Sequence, residues 1–193
     1  MLVTIQAELT LTIIETSAQM STIKAGLICV LPPCFTGPRP PRLPSCGNEA
    51  SPEICELKER LFAAVKAAYA EGYRNFISGM AEGFDLFAAE AVIRLKKLYP
   101  DAELFAAFPC EASPKNHSAA ICKRIQDIMA EVSSCYFVCE KHIYGCELSR
   151  NVYMVENSSM VIGYYDGFSK GTAHCWHCGE QRGLKLINLC ESA

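Results

Sequence analysis

Gly72-Tyr73-Arg74-Asn75-Phe76-Ile77-Ser78-Gly79-Met80-Ala81-Glu82-Gly83-Phe84-Asp85-Leu86-Phe87-Ala88-Ala89-Glu90 decides the fold class. Residues 75–78 read as a short buried strand, and Gly79 and Gly83 mark a tight loop behind it. Leu86, Ala89, Val92, Ile93 and Leu95 then recur at helical spacing, and the helix closes before Pro100. Strand, glycine loop and helix make the first part of a βαβ unit.

The same alternation extends both ways. Upstream, the apolar run at 27–30 reads as a strand, followed by a loop from Cys34 to Arg42 in which prolines bar regular structure. Ser51-Pro52-Glu53 has the order of an N-cap, a first-turn proline and a first-turn acid, and the helix it opens stops at Gly72. Downstream, strands are expected at 103–108, 135–138, 160–165 and 184–189, and helices at 113–132, 149–156 and 172–182. Short strands alternating with longer helices imply one α/β domain with a mostly parallel sheet.

Composition agrees with a soluble globular chain. Of 193 residues, 50% are hydrophobic and 20% charged, and the net charge is −3, so nothing steers the chain towards a polyanion. No apolar run approaches the roughly 18 residues of a membrane span. The first 20 residues lack the basic start of a secretory signal, which makes the cytoplasm the expected compartment. Residues 1–24 form an N-terminal extension ahead of a domain at 25–193. Val3, Ile5, Ala7, Leu9, Leu11 and Ile13 alternate with polar residues, as in an edge strand, or as upstream sequence ahead of a start at Met20.

In an open α/β sheet, ligands sit off the carboxyl ends of strands, beside helix N-termini. Three segments fall there: Phe35-Thr36-Gly37 with Arg39 behind it, Ser78-Gly79 through Gly83 and Asp85, and Asp166-Gly167 through Gly171-Thr172. Glycine lets the backbone approach a phosphate, and first-turn N–H groups favour an anion. Thr36, Ser78 and Thr172 add hydroxyls suited to phosphate or ribose. Asp85 either meets a ribose hydroxyl or complements its own helix dipole. Arg150 and Asn151 reach a ligand from a neighbouring helix, or Arg150 pairs a structural carboxylate. Glu82 reads as a solvated loop residue.

These residues carry a resemblance. Phe-Thr-Gly-x-Arg-Pro-Pro-x-Leu at 35–43, Gly-Tyr-Arg-x-Phe-Ile-Ser-Gly at 72–79, Gly-Phe-Asp-Leu-x-Ala-Ala-Glu at 83–90, Arg150-Asn151-x-Tyr153-Met154-Val155, Tyr165-Asp166-Gly167 and Gly171-Thr172 resemble the YpsA-type branch of the SLOG superfamily. The resemblance implies a Rossmann-like, three-layer fold and a nucleotide or nucleotide-derived ligand of the NAD or ADP-ribose kind. The family usually has His where this chain has Pro38, and the loss removes a candidate general acid or base. The related LOG hydrolases carry Gly-Gly-x-Gly-Thr-x-x-Glu, with the Glu taken as catalytic; here Lys170 precedes Gly171-Thr172 and Cys175 stands at the acidic position. A thiol is a poor substitute for a carboxylate facing an oxocarbenium charge.

Twelve cysteines stand out, yet a reduced thiol packs as a small apolar side chain. Cys29, Cys55, Cys122, Cys135 and Cys190 lie in apolar periodic contexts and are expected in the core. Cys34 adjoins the ligand loop and is the candidate reactive thiol. His174-Cys175-Trp176-His177-Cys178 has zinc-type donors on a helix but needs two more from elsewhere, and no second Cys-x-x-Cys supplies them, so no metal is expected. The reading is therefore a cytoplasmic nucleotide-type binder, with a ligand-sensor role open to it, needing no cofactor and open to homo-oligomerisation. Two alternatives stay open: a hydrolase of an N-glycosidic or phosphate bond, and a DprA-like or protein-interaction module, with the acidic charge counting against nucleic acid.

Overall fold

The computed structural model describes residues 31–111 and 117–190. The N-terminal extension, and the strand expected at 27–30, lie outside them. Among the described residues, six strands, β1 (Pro33–Thr36), β2 (Asn75–Ser78), β3 (Glu103–Cys110), β4 (Ser134–Cys139), β5 (Met160–Gly163) and β6 (Lys185–Asn188), alternate with five helices. The helices are α1 (Pro52–Ala70), α2 (Phe84–Lys96), α3 (Ala119–Met129), α4 (Cys146–Glu156) and α5 (Lys170–Gln181). Short 3-10 turns at Pro40–Arg42 and Pro44–Gly47 lie between β1 and α1.

The sheet runs β4-β3-β2-β1-β5-β6, and every pairing among the described strands is parallel. From β1 to β4 each connection steps the same way. After β4 the chain crosses back to β5 and steps the other way. Because such crossovers are right-handed, reversing direction moves the connecting helices to the opposite face. The packing follows: α1, α2 and α3 close one core with Phe35, Phe76, Leu104 and Ile162, and α4 and α5 close the other with Cys34, Ile77, Ala107 and Val161. Neighbouring residues of one strand enter different cores, as the two-residue period of a strand requires. The strand order reverses between β1 and β5, the kind of switch point at whose carboxyl ends open α/β sheets bind ligands.

Local signals hold at α1. The Ser51 side chain accepts from the Ile54 N–H at 3.3 Å, Pro52 opens the helix, and Gly72 beyond its end has φ +103°. The first core strand corrects the sequence reading. Cys34, Phe35 and Thr36 are not loop; they belong to β1, and Cys34 and Phe35 are 0% and 1% exposed. Pro33 fits there because the first position of a strand tolerates proline. The third helix starts at Ala119, capped by Ser118, whose side chain accepts from the Ile121 N–H.

The cysteines need a second correction. Cys55 and Cys122 are exposed and Cys135 and Cys190 only partly covered, whereas Cys34, Cys110, Cys146 and Cys175 are buried. Apolar neighbours in sequence do not say which side of a helix faces the core, and Cys55 and Cys122 lie on outward sides.

Candidate functional site

A cavity of about 640 Å³ opens at the carboxyl ends of β2 and β3. Arg39 from the β1–α1 loop, Gly79 to Glu82 from the β2–α2 loop, Phe108 and Pro109 of β3, Gln126 of α3, and Glu147 and Arg150 of α4 line it. A second depression of about 570 Å³ lies between α2 and α3, among Glu90, Lys97 and Arg124. It sits on the helical layer rather than at strand ends, and its Arg124 and Glu90 are already paired with each other.

The first cavity is braced from beneath by a buried polar network. Arg150 of α4 lies 3.7 Å from Asp85 Oδ2 and donates through Nη1 to the Gly79 carbonyl. Its Nε donates to Asn151 Oδ1 at 3.0 Å, and Asn151 Nδ2 donates to the Gly171 carbonyl at 3.3 Å. One chain of contacts thus runs from the loop after β2 to the start of α5. Asp85 also accepts from the Ala81 N–H at 3.4 Å. Burial raises the Asp85 carboxyl above its ordinary range, with Arg150 the main opposing influence.

The thirteen site residues therefore separate. Arg39, Gly79 and Arg150 line the cavity, while Asp85 and Asn151 brace it. Asp166, Gly167, Gly171 and Thr172 gather instead at the start of α5, beside β1. Arg42 reaches that segment, its Nη1 donating to the Phe168 carbonyl at 3.2 Å.

The expected hydroxyl donors are engaged within the protein. Ser78 Oγ donates to the Asp85 carbonyl at 2.8 Å and accepts from the Met80 N–H; Thr172 Oγ1 bonds Ser169 Oγ at 3.1 Å; Thr36 hydrogen-bonds Cys175. All three residues are buried, and buried hydroxyls are almost always satisfied by their surroundings. Two glycines have packing reasons as well. A side chain at Gly37 would strike the Phe84 ring, and one at Gly79 would strike the Arg150 guanidinium and sit 2.6 Å from Asp85 Oδ2. Gly83, at φ +101°, caps α2 against the Pro38 carbonyl. Gly171 has open space around it, and Ser169 does not cap α5 through its side chain.

Several residues of this region escaped the sequence reading. Glu82 is not a plainly solvated loop residue: it lines the cavity, with its carboxylate 3.4 Å from His117 Nδ1. Met80 holds φ +55°, rare outside glycine, and is buried where the loop turns into the cavity wall. Neither Phe108 nor Glu147 carries a motif; only the meeting of β3 with α4 places them there. Cys34 is not the reactive thiol that its position suggested. Its hydrogen bond to Cys175 and full burial push its pKa well above the usual thiol range. Cys175 is itself 1% exposed, packed in the core beside β1.

Comparisons with known proteins agree with this architecture. The YspA SLOG family model matches residues 34–177. The chain is 29% identical over 138 residues to the SPbeta prophage-derived protein YoqJ of Bacillus subtilis (strain 168), covering 65% of this chain and 81% of that protein. Among solved structures, DNA processing protein A of Helicobacter pylori, described for its single-stranded DNA binding mode, superposes with a TM-score of 0.54 at 21% identity. That match covers 81% of this chain but 63% of the Helicobacter protein, so the chain spans under two thirds of its length. DprA of Streptococcus pneumoniae gives a TM-score of 0.47 at 15% identity, over 82% of this chain and 59% of that one. The structural likeness is one of fold. With the family model covering β1 through most of α5, the chain belongs to the YspA SLOG family.

Proposed function

We propose that the protein binds a nucleotide or nucleotide-derived ligand, of the NAD or ADP-ribose kind, in the cavity at the carboxyl ends of β2 and β3, reaching towards the switch point between β1 and β5. The observation that carries this is the pair of guanidiniums, Arg39 and Arg150, on one cavity wall beside Gly79. Arginine presents a planar fork of donors matched to phosphate oxygens. Arg39 is the free hand of the two, since Arg150 is held by Asp85, Gly79 and Asn151. The open, side-chain-uncapped start of α5 offers first-turn N–H groups to a second phosphate or a ribose.

Binding stands ahead of hydrolysis in this reading. Asp85 is engaged by Arg150 and Ala81 and does not line the cavity, and Cys175 occupies the position of the LOG glutamate. We place the protein in the cytoplasm as a ligand-responsive binder; none of its described helices is long and apolar enough to cross a membrane.

Calorimetric titration with NAD, ADP-ribose and AMP, alongside a short single-stranded oligonucleotide, tests the proposal. Saturable binding of a nucleotide, weakened roughly tenfold by Arg39→Ala, is the expected result; loss of one charged hydrogen bond is worth about 1.5–3 kcal/mol. No heat from any nucleotide with folded protein would overturn it. Binding only of the oligonucleotide, falling steeply with salt, would favour a DNA-associated role instead.

A further inference from the structure

Beside the cavity, the chain brings together a set of donors that the nucleotide reading does not use. His142, Cys146 and Glu147 place one donor atom each within 4.8 Å of one another. Cys146 Sγ lies 3.5 Å from Glu147 Oε2, and His142 Nε2 lies 3.9 Å from Glu147 Oε1. Neighbouring donors around a tetrahedral zinc ion, with bonds of about 2.0–2.3 Å, stand roughly 3.3–3.8 Å apart. The three donors thus need only small side-chain adjustments to share one ion.

The backbone explains why they meet. Gly145 takes φ +84°, turning the chain sharply between β4 and α4. The Cys146 N–H bonds back to the Ile143 carbonyl at 3.2 Å, which folds the loop holding His142 onto the first turn of α4. Cys146 and Glu147 are the first two residues of that helix, where its dipole favours anionic donors. Tyr144, by contrast, is fully exposed and Ile143 is 56% exposed, so the loop covers no apolar core and is shaped around its polar residues. Thiolate, imidazole and carboxylate together form a donor set that zinc accepts and that calcium or magnesium, which take oxygen donors, does not favour.

We propose that His142, Cys146 and Glu147 bind one zinc-class divalent cation at the carboxyl end of β4, through three protein ligands and a fourth position held by water. As the sulfur–metal bond forms, the Cys146 thiol proton leaves to solvent and no redox change occurs. Glu147 also lines the cavity, so the ion would add positive charge at its wall.

The test uses the full chain, freed of metal with a chelator and titrated with cobalt(II) or zinc(II) alone. The expected result is one equivalent of cobalt with a thiolate-to-cobalt charge-transfer band in the near ultraviolet. Cys146→Ser should abolish the band, and His142→Ala should lower cobalt affinity roughly tenfold or more. A Cys178→Ser/His174→Ala variant, which removes a cysteine–histidine contact at 3.9 Å on α5, should bind as the parent does. Because Cys146 is buried and its variant also perturbs packing, the exposed His142 decides the matter independently. Absence of a band, its survival in His142→Ala at unchanged affinity, or its loss in the Cys178 variant would overturn the proposal. No nucleotide enters this experiment, so its failure and the failure of nucleotide binding are separate results.

Discussion

Arg150 and Asp85 face each other at 3.7 Å with only 7% and 8% of their side-chain surfaces exposed, tying α4 to the first turn of α2 beneath the cavity. Breaking such a pair from one side leaves an uncompensated buried charge. Arg150→Met should therefore cost about 3–5 kcal/mol of stability, read from urea unfolding. Adding Asp85→Asn should recover part of that loss, and a strictly additive double mutant would show that the two do not interact.

The same carboxyl gives a pH dependence of definite sign. Burial raises Asp85 above its ordinary value of 3.8, so the folded state holds the proton more tightly than the unfolded chain. Its contribution is fully present below 3.8 and is lost as pH rises through the folded-state pKa. Measured against Asp85→Asn, the parent should lose relative stability across that interval. A difference between the two that stays flat, or that grows with pH, would contradict the assignment.

Two glycines should respond oppositely. Gly79→Ala forces a methyl group against Arg150 and Asp85 and should destabilise by about 1–3 kcal/mol, as overpacking does. Gly171→Ala meets nothing within 4 Å and lies in the first turn of α5, so stability should hold or rise by about 0.4–1 kcal/mol. If a phosphate or ribose rests on that turn, the same Gly171→Ala variant loses nucleotide affinity while keeping its melting temperature. Affinity and stability measured on one preparation separate these effects.

Thiol accessibility gives a direct map. Alkylation of the native, reduced protein followed by peptide mass spectrometry should modify Cys46, Cys55 and Cys122 first. Cys34 and Cys175 should react only on unfolding, because both are buried and the Cys34 thiol is held protonated. Early labelling of Cys34 would restore it as a reactive residue and contradict the packing.

At the N-terminus of α1, Ser51→Ala removes the acceptor of the Ile54 N–H and should cost about 1 kcal/mol. Ser51→Asp should keep most of the stability, since its carboxylate can take the same bond at a favourable helix end.

Much of the architecture was legible because it rests on local pattern. The strand at 75–78 and the cap at Ser51 stand where sequence places them, since a two-residue period and a capping side chain act within a few residues. Residues 34–36 read as the start of a loop because prolines follow at 38, 40 and 41, and only the pairing of Pro33–Thr36 with Met160–Gly163 shows that they form a strand. The site was legible in its members but not in their roles. Arg150, Asp85 and Gly79 were each visible as candidates, yet nothing in a linear chain shows that a guanidinium fills the space a side chain at Gly79 would need.

By itself, the sequence determined a parallel α/β fold, the capped start of α1, and the family to which residues 34–177 belong. Those properties follow from periodicity, capping and motif order, all short-range along the chain. Tertiary structure alone decided which thiols are buried and that the buried Arg150 serves Asp85. Each depends on contacts between elements brought together by a sheet whose order reverses at β1 and β5, and no local rule specifies them.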